Sequence, residues 1–159
     1  MSGSTQSRPV VAVIQARMGS SRLPGKVLMP VAGEPLLWHI LHRLNKCRMV
    51  DAVAVATSTD PGDDAIAQFC ADSGVTCVRG PLHNVLERYR LAAAKTVAQT
   101  LLRVTGDAPL IDPGLIDYLV YTIVKAGADY VQFETGTLCA HEGVDVFSRR
   151  ALDWLIDHA

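Results

Sequence analysis

The chain reads as an α/β protein: a mostly parallel sheet with helices on both faces, three layers in all. Three observations predict this. Short β-branched runs at residues 10–14 and 52–57 have the length and unbroken apolarity of buried parallel strands. Other segments repeat apolar residues at helical spacing, as Leu36, Leu37, Ile40, Leu41 and Leu44 do. The two kinds alternate along the chain, separated by clusters of Gly, Pro and Asp.

The first strand, 10–14, ends in a polar, basic stretch. Pro35 then stands where the first turn of a helix tolerates it, ahead of the Leu36–Leu44 apolar face. After the 52–57 strand, STDPGDD is a turn cluster whose carboxylates favour the start of a helix over 63–73. Gly74 stops that helix, and 75–78 forms a third strand that Arg79, Gly80 and Pro81 break. Asn84 can cap a helix running to Val97, and 101–104 is the fourth strand. Asp112 and Pro113 open a helix with Ile116, Leu119, Val120, Ile123 and Val124 as its buried stripe, closed by Gly127. Strands at 129–133 and 144–147, a loop at 135–143 between them, and a helix at 149–158 complete the chain.

Composition excludes several classes. At 159 residues the chain is long enough for one sizeable core. Its net charge of −1 argues against nucleic acid as a partner, so an anion site must be a local patch. No apolar run reaches the roughly 20 residues of a membrane span, and the polar N-terminus lacks a signal peptide's apolar segment. Cys47, Cys70, Cys77 and Cys139 form no C-x-x-C pair, and His39 and His42 have no ligand-spaced partner. Reduced thiols and a cytoplasmic location are expected.

The stretch after the first strand, QARMGSSRLPGK, carries the chemistry. Glycines let a backbone come close to a phosphate, exposed N–H groups cradle it, and Arg17, Arg22 and Lys26 offset its charge. Guanidinium forks clamp oxygen pairs while an ammonium acts as a point charge, a combination suited to a triphosphate. It is neither a Walker A nor a dinucleotide fingerprint, and taken alone it also reads as a solvated basic loop. Asp107 follows the fourth strand in a Gly-Asp-x-Pro turn. It can hold Mg²⁺ beside substrate phosphates, or simply bond its own turn. In parallel sheets ligands lie beyond the carboxyl ends of the strands at a switch in strand order, which brings Arg17 and Asp107 together.

IQARMGSSRLPGKVLMPVAGEPLL resembles the opening of the cytidylyltransferases that activate acidic sugars, the CMP-Kdo and CMP-acylneuraminate synthetase superfamily, and within it the SpsF branch. RVTGDAPLIDP resembles the family's second motif, RGPLHNVLERY its arginine-glycine turn and helix, and EGVDVFSRRAL, from Glu142 to Leu152, a segment near the sugar site. The resemblance implies a Rossmann-like sheet of the nucleotide-diphospho-sugar transferase type. It implies nucleotide contacts from Ala16, Arg17, Gly19, Ser20, Ser21, Arg22, Lys26, Arg79 and Gly106. Mg²⁺ would sit on Asp107, and Arg17, Arg22, Lys26 and Asp107 would serve catalysis. Arg79 would contact base or ribose, with Asn84 and Arg88 as lesser candidates, and Asp145 would stand near the sugar or face outward.

The implied reaction is transfer of CMP from CTP to an acidic sugar for surface polysaccharide biosynthesis. A homodimer exchanging residues 135–147 is a further expectation. The family's chains continue beyond this one, so the expected organisation is a tail at 1–8 and a single domain at 9–159 lacking the family's C-terminal part. Two alternatives stay open: a nucleotide-binding module without catalysis, and a nucleotidyltransferase using UTP or GTP.

Overall fold

The computed structural model describes residues 9–20, 22–133 and 143–159. The elements follow the order β1 Val10–Gln15, β2 Pro30–Val31, β3 Glu34–Pro35, α1 Leu36–Leu44, β4 Ala52–Ser58, α2 Asp64–Asp72, β5 Thr76–Gly80 and α3 Val85–Thr96. They continue with β6 Thr100–Thr105, α4 Pro113–Ala126, β7 Tyr130–Gln132, β8 Asp145–Ser148 and α5 Arg149–Asp157.

Six strands form one sheet in the order β5-β4-β1-β6-β8-β7. β5, β4, β1 and β6 run parallel, whereas β8 lies antiparallel to both β6 and β7. Alternation along β1 divides the core. Val10, Ala12 and Ile14 face Leu37, Ile40 and Leu44 of α1, Ile66 of α2 and Ile116 and Val120 of α4. Val11 and Val13 face Tyr89, Ala92 and Ala93 of α3 and Leu152 of α5. Helices therefore cover both faces, and β1 is buried from either side.

The helix boundaries follow local chemistry. Asn84 Oδ1 accepts from the Glu87 amide at 2.9 Å, and Asp112 Oδ1 from the Leu115 amide at 3.0 Å. Gly127 ends α4 at φ +61°.

Three features depart from the sequence reading. Pro35 closes β3 and precedes α1 rather than opening the helix, because 30–35 folds as a two-residue-per-strand hairpin over Ala32 and Gly33. β5 continues through Arg79 and Gly80, which pair with Thr57 and Ser58 of β4, instead of breaking before them. Of the last two strands β8 alone reverses direction, running against both β6 and β7, since a strand of four residues carries no mark of its orientation. The expected loop and subunit exchange fall mainly on residues 134–142, and with them Cys139 and Glu142 lie outside the described residues. Cys47, Cys70 and Cys77 are free thiols, and no helix among the described residues is long and apolar enough to cross a membrane.

Candidate active site

The chain leaves β1 toward β4 and β5 and later returns to β6 on the other side, so strand order switches between β1 and β6. Their carboxyl ends meet closely: the Gly106 amide donates to the Gln15 carbonyl at 2.9 Å, while on the other side of β1 the Ala16 amide donates to the Ala56 carbonyl of β4 at 3.1 Å. A Cβ at Gly106 would lie 2.9 Å from the Gln15 carbonyl oxygen and 3.2 Å from the Ala16 Cβ. Any larger residue would push the two strand ends apart.

The basic loop between β1 and β2 is organised around Met18. Its carbonyl accepts from the Ser20 amide at 2.9 Å and the Gly25 amide at 2.8 Å, which closes the loop on itself. Gly25 makes this turn at φ +74°, a conformation that disfavours any side chain. The Met18 amide donates 2.7 Å to Oδ1 of Asp63, 45 residues away. Asp63 is buried, and its other oxygen accepts from the Ser58 amide at 3.1 Å and from the Ser58 hydroxyl. Burial raises the Asp63 pKa, but the hydrogen bonds from Ser58 and Met18 outweigh it and hold the carboxyl below its usual value. The loop is thereby pinned to the turn that starts α2. Sequence reasoning gave that carboxylate only a helix-start role, because nothing local marks a contact across 45 residues.

Loop and strand ends enclose a cavity of about 350 Å³. Arg17, Arg22 and Lys26 line it from the loop, with Ala16, Gly19 and Ser20 between them, and Gly106 and Asp107 close it from β6. Arg88 of α3 is a fourth cation on its wall, and Asp107 is the one carboxylate among the described lining residues. Lys26 Nζ forms an ion pair with Asp107 Oδ2. That hydrogen bond, aided by the Thr105 hydroxyl and opposed by burial, holds the Asp107 carboxyl below its usual range. Arg17 and Arg22 are exposed and make no ion pair among the described residues.

Of the other expected contacts, Ser21 lies outside the described residues. Arg79 does not line this cavity. Its Nε donates to the Ser58 carbonyl at 2.8 Å, and its Nη2 binds the Asp60 carbonyl at 3.0 Å and Asp64 at 2.7 Å. Asn84 serves as the α3 cap.

A second, mainly apolar groove of about 690 Å³ adjoins the cavity, and Gln15 and Val85 line both. Phe147, Trp154 and Leu155 form its walls. Asp145 borders it, buried rather than outward-facing: it pairs with Arg103 directly across the β6–β8 ladder and accepts from the Tyr130 hydroxyl at 3.0 Å. Gln15 escaped sequence reasoning, although it stands where a strand turns polar; Val85 lies within the RGPLHNVLERY segment.

For a divalent cation the described donor set is spare. No group of three His, Cys, Asp or Glu side chains converges anywhere among the described residues. Asp107, nearly half exposed beside three loop cations, fits Mg²⁺ only in company with phosphate oxygens.

Known proteins resemble this chain in sequence and in fold. The chain is 35% identical over 125 residues to the spore coat polysaccharide biosynthesis protein SpsF of Bacillus subtilis, covering 76% of this chain and 52% of that protein. It is 39% identical over 116 residues to the 3-deoxy-manno-octulosonate cytidylyltransferase of Anaeromyxobacter dehalogenans, covering 71% and 46%. The chain thus spans about half the length of these curated relatives. A solved cytidylyltransferase from Leptospira borgpetersenii superposes with a TM-score of 0.89 at 29% identity, covering 96% of this chain and 66% of that one. The fold is also that of a CMP:2-keto-3-deoxy-manno-octonic acid synthetase solved with CTP, with a TM-score of 0.74 at 22% identity over 94% and 78% of the two chains. The sequence pattern of cytidylyltransferases matches residues 11–159, and with these likenesses it establishes that the chain belongs to the cytidylyltransferase family.

Proposed function

We propose that this chain binds CTP in the cavity at the β1–β6 switch point and transfers CMP to a hydroxyl of an acidic sugar, releasing pyrophosphate. The observation that carries this reading is the cluster of Arg17, Arg22 and Lys26 on one pinned loop, two of them without a carboxylate partner among the described residues, facing Asp107 across the cavity. Such a site accepts a polyanion, and membership of the cytidylyltransferase family supports CTP as that polyanion.

In the transfer, the acceptor oxygen forms a bond to the α-phosphorus while the bond from that phosphorus to the β-phosphate bridging oxygen breaks. The hydroxyl proton passes to solvent and pyrophosphate departs. The chain's residues act by positioning and charge neutralisation. Lys26 supplies a point charge, and the Arg17 and Arg22 forks hold oxygen pairs. Lys26 also fixes the position of Asp107 and holds its carboxyl below the usual range. Asp107 would hold Mg²⁺ together with the nucleotide's phosphates, and the ion would neutralise phosphate charge.

The adjoining groove offers the acceptor a place within reach of the same cavity, with Arg103 and Arg150 on its border. An acidic sugar is the acceptor class named by the relatives that make 3-deoxy-manno-octulosonate derivatives.

The test is pyrophosphate release from CTP and Mg²⁺ with a panel of acidic sugars. Release that needs both CTP and one sugar class supports the synthetase reading. A second reading, a nucleotide-binding module without catalysis, is favoured by the single carboxylate among the described residues of the cavity. CTP binding without release under any sugar would select it.

A further inference from the structure

Arg88 is only 5% exposed, yet it makes no ion pair among the described residues. Arginine is almost never this buried without a partner charge. Its Nη1 donates to the carbonyls of Pro81 at 2.7 Å and Leu82 at 2.8 Å. Those two bonds use both hydrogens of Nη1 and suffice to staple the turn between β5 and α3. What remains is the side-on fork made by Nε and Nη2. Nε is fully buried without a hydrogen-bond partner, and Nη2 has no partner among the described residues.

The residue lines the cavity that also holds Arg17, Arg22 and Lys26. Burial and the neighbouring Arg17 guanidinium pull its pKa below the usual value, with Asp63 opposing, as expected of a cation in uncompensated positive surroundings.

We propose that Arg88 is a nucleotide-binding residue, its Nε–Nη2 fork taking two oxygens of one phosphate group of the bound triphosphate. The inference rests on the reading of this cavity as a nucleotide site and adds to it an arm from the opposite face of the sheet. The Nη1 staple holds the fork ready, so phosphate binding orders little that is not already ordered. Because the staple joins the same guanidinium to the 81–82 turn, phosphate and turn are read by one side chain.

Calorimetric titration with inorganic tripolyphosphate and with CTP tests this on wild type, Arg88→Gln and Arg88→Lys, each checked for a cooperative thermal transition. Lysine keeps the stem and the charge but lacks Nε and the fork. Both folded variants should bind tripolyphosphate and CTP at least about tenfold more weakly, as loss of a charged, bidentate contact requires. Either folded variant binding within about twofold of wild type overturns the proposal, by the same measure. So does failure of both to fold, which would make the guanidinium a structural staple alone. If wild type binds neither ligand, the nucleotide reading falls as well. Normal wild-type binding with unaffected variants removes Arg88 alone.

Discussion

The cavity between β1 and β6 and the groove beside β8 meet at Gln15 and Val85 but are built by different means. The cavity's shape comes from backbone: the Gln15–Gly106 approach, the Met18 carbonyl closing the loop, and Asp63 gripping the Met18 amide. The groove's shape comes largely from side chains, with Trp154 and Leu155 of α5 more than two-fifths exposed along it. A backbone-built site serves a ligand part that never varies, such as a triphosphate. A wall of side chains can change its occupant without disturbing the fold. Nucleotide and acceptor would thus be recognised by regions that mutate independently.

Substitution at the cavity's charge centre should break this comparison most visibly. Lys26→Ala or Asp107→Ala is expected to lower pyrophosphate release by two or more orders of magnitude, roughly what removal of a transition-state charge contact costs, while the thermal transition persists. Near-normal turnover in either variant would remove that residue from catalysis.

Gly106→Ala forces a Cβ against the Gln15 carbonyl, so the backbone must shift. A loss of about 1–3 kcal/mol in urea unfolding is expected, together with weaker CTP binding. Unchanged affinity would mean the close approach of the strands is not what shapes the site.

Asp63→Asn sets an amide N–H against donors that now meet carboxylate oxygens, and about 1–3 kcal/mol should be lost. The pH dependence sharpens this. The folded carboxyl titrates below its ordinary 3.8, so its stabilisation is present above that value and is lost as pH falls through the lower folded pKa. The difference between wild type and Asp63→Asn should therefore shrink on going from pH 7 to pH 3, as read from urea midpoints. A difference independent of pH would contradict the charge argument. Trp154→Ala, at the far end of the groove, should change CTP affinity by less than about twofold, as surface substitutions away from a site do.

The two regions also differ in how far they could be read from the chain alone. Arg17 and Asp107 announced themselves because each stands within two residues of the end of an apolar strand, Lys26 because it shares the basic loop with Arg17, and strand order then brings the loops together. Periodicity found the helices within a residue or two, since α1, α3 and α4 carry clear stripes, turn residues and caps. Asp63 stayed hidden because its partner is remote in sequence, and Arg79 stands off the cavity with its guanidinium taken up by Ser58, Asp60 and Asp64, contacts that the sequence does not mark. The groove was least legible. It depends on β8 running antiparallel to β6, which sets Asp145 opposite Arg103, and strand direction leaves no local trace in four residues.

Calorimetric titration of CTP, UTP, GTP and ATP into the wild-type chain with Mg²⁺, repeated on Lys26→Ala, tests the central claim most directly. The account predicts that CTP binds best of the four and that the lysine substitution weakens it by at least about tenfold, the scale of a lost charged contact. Equal binding of all four, or CTP binding indifferent to Lys26, would contradict it.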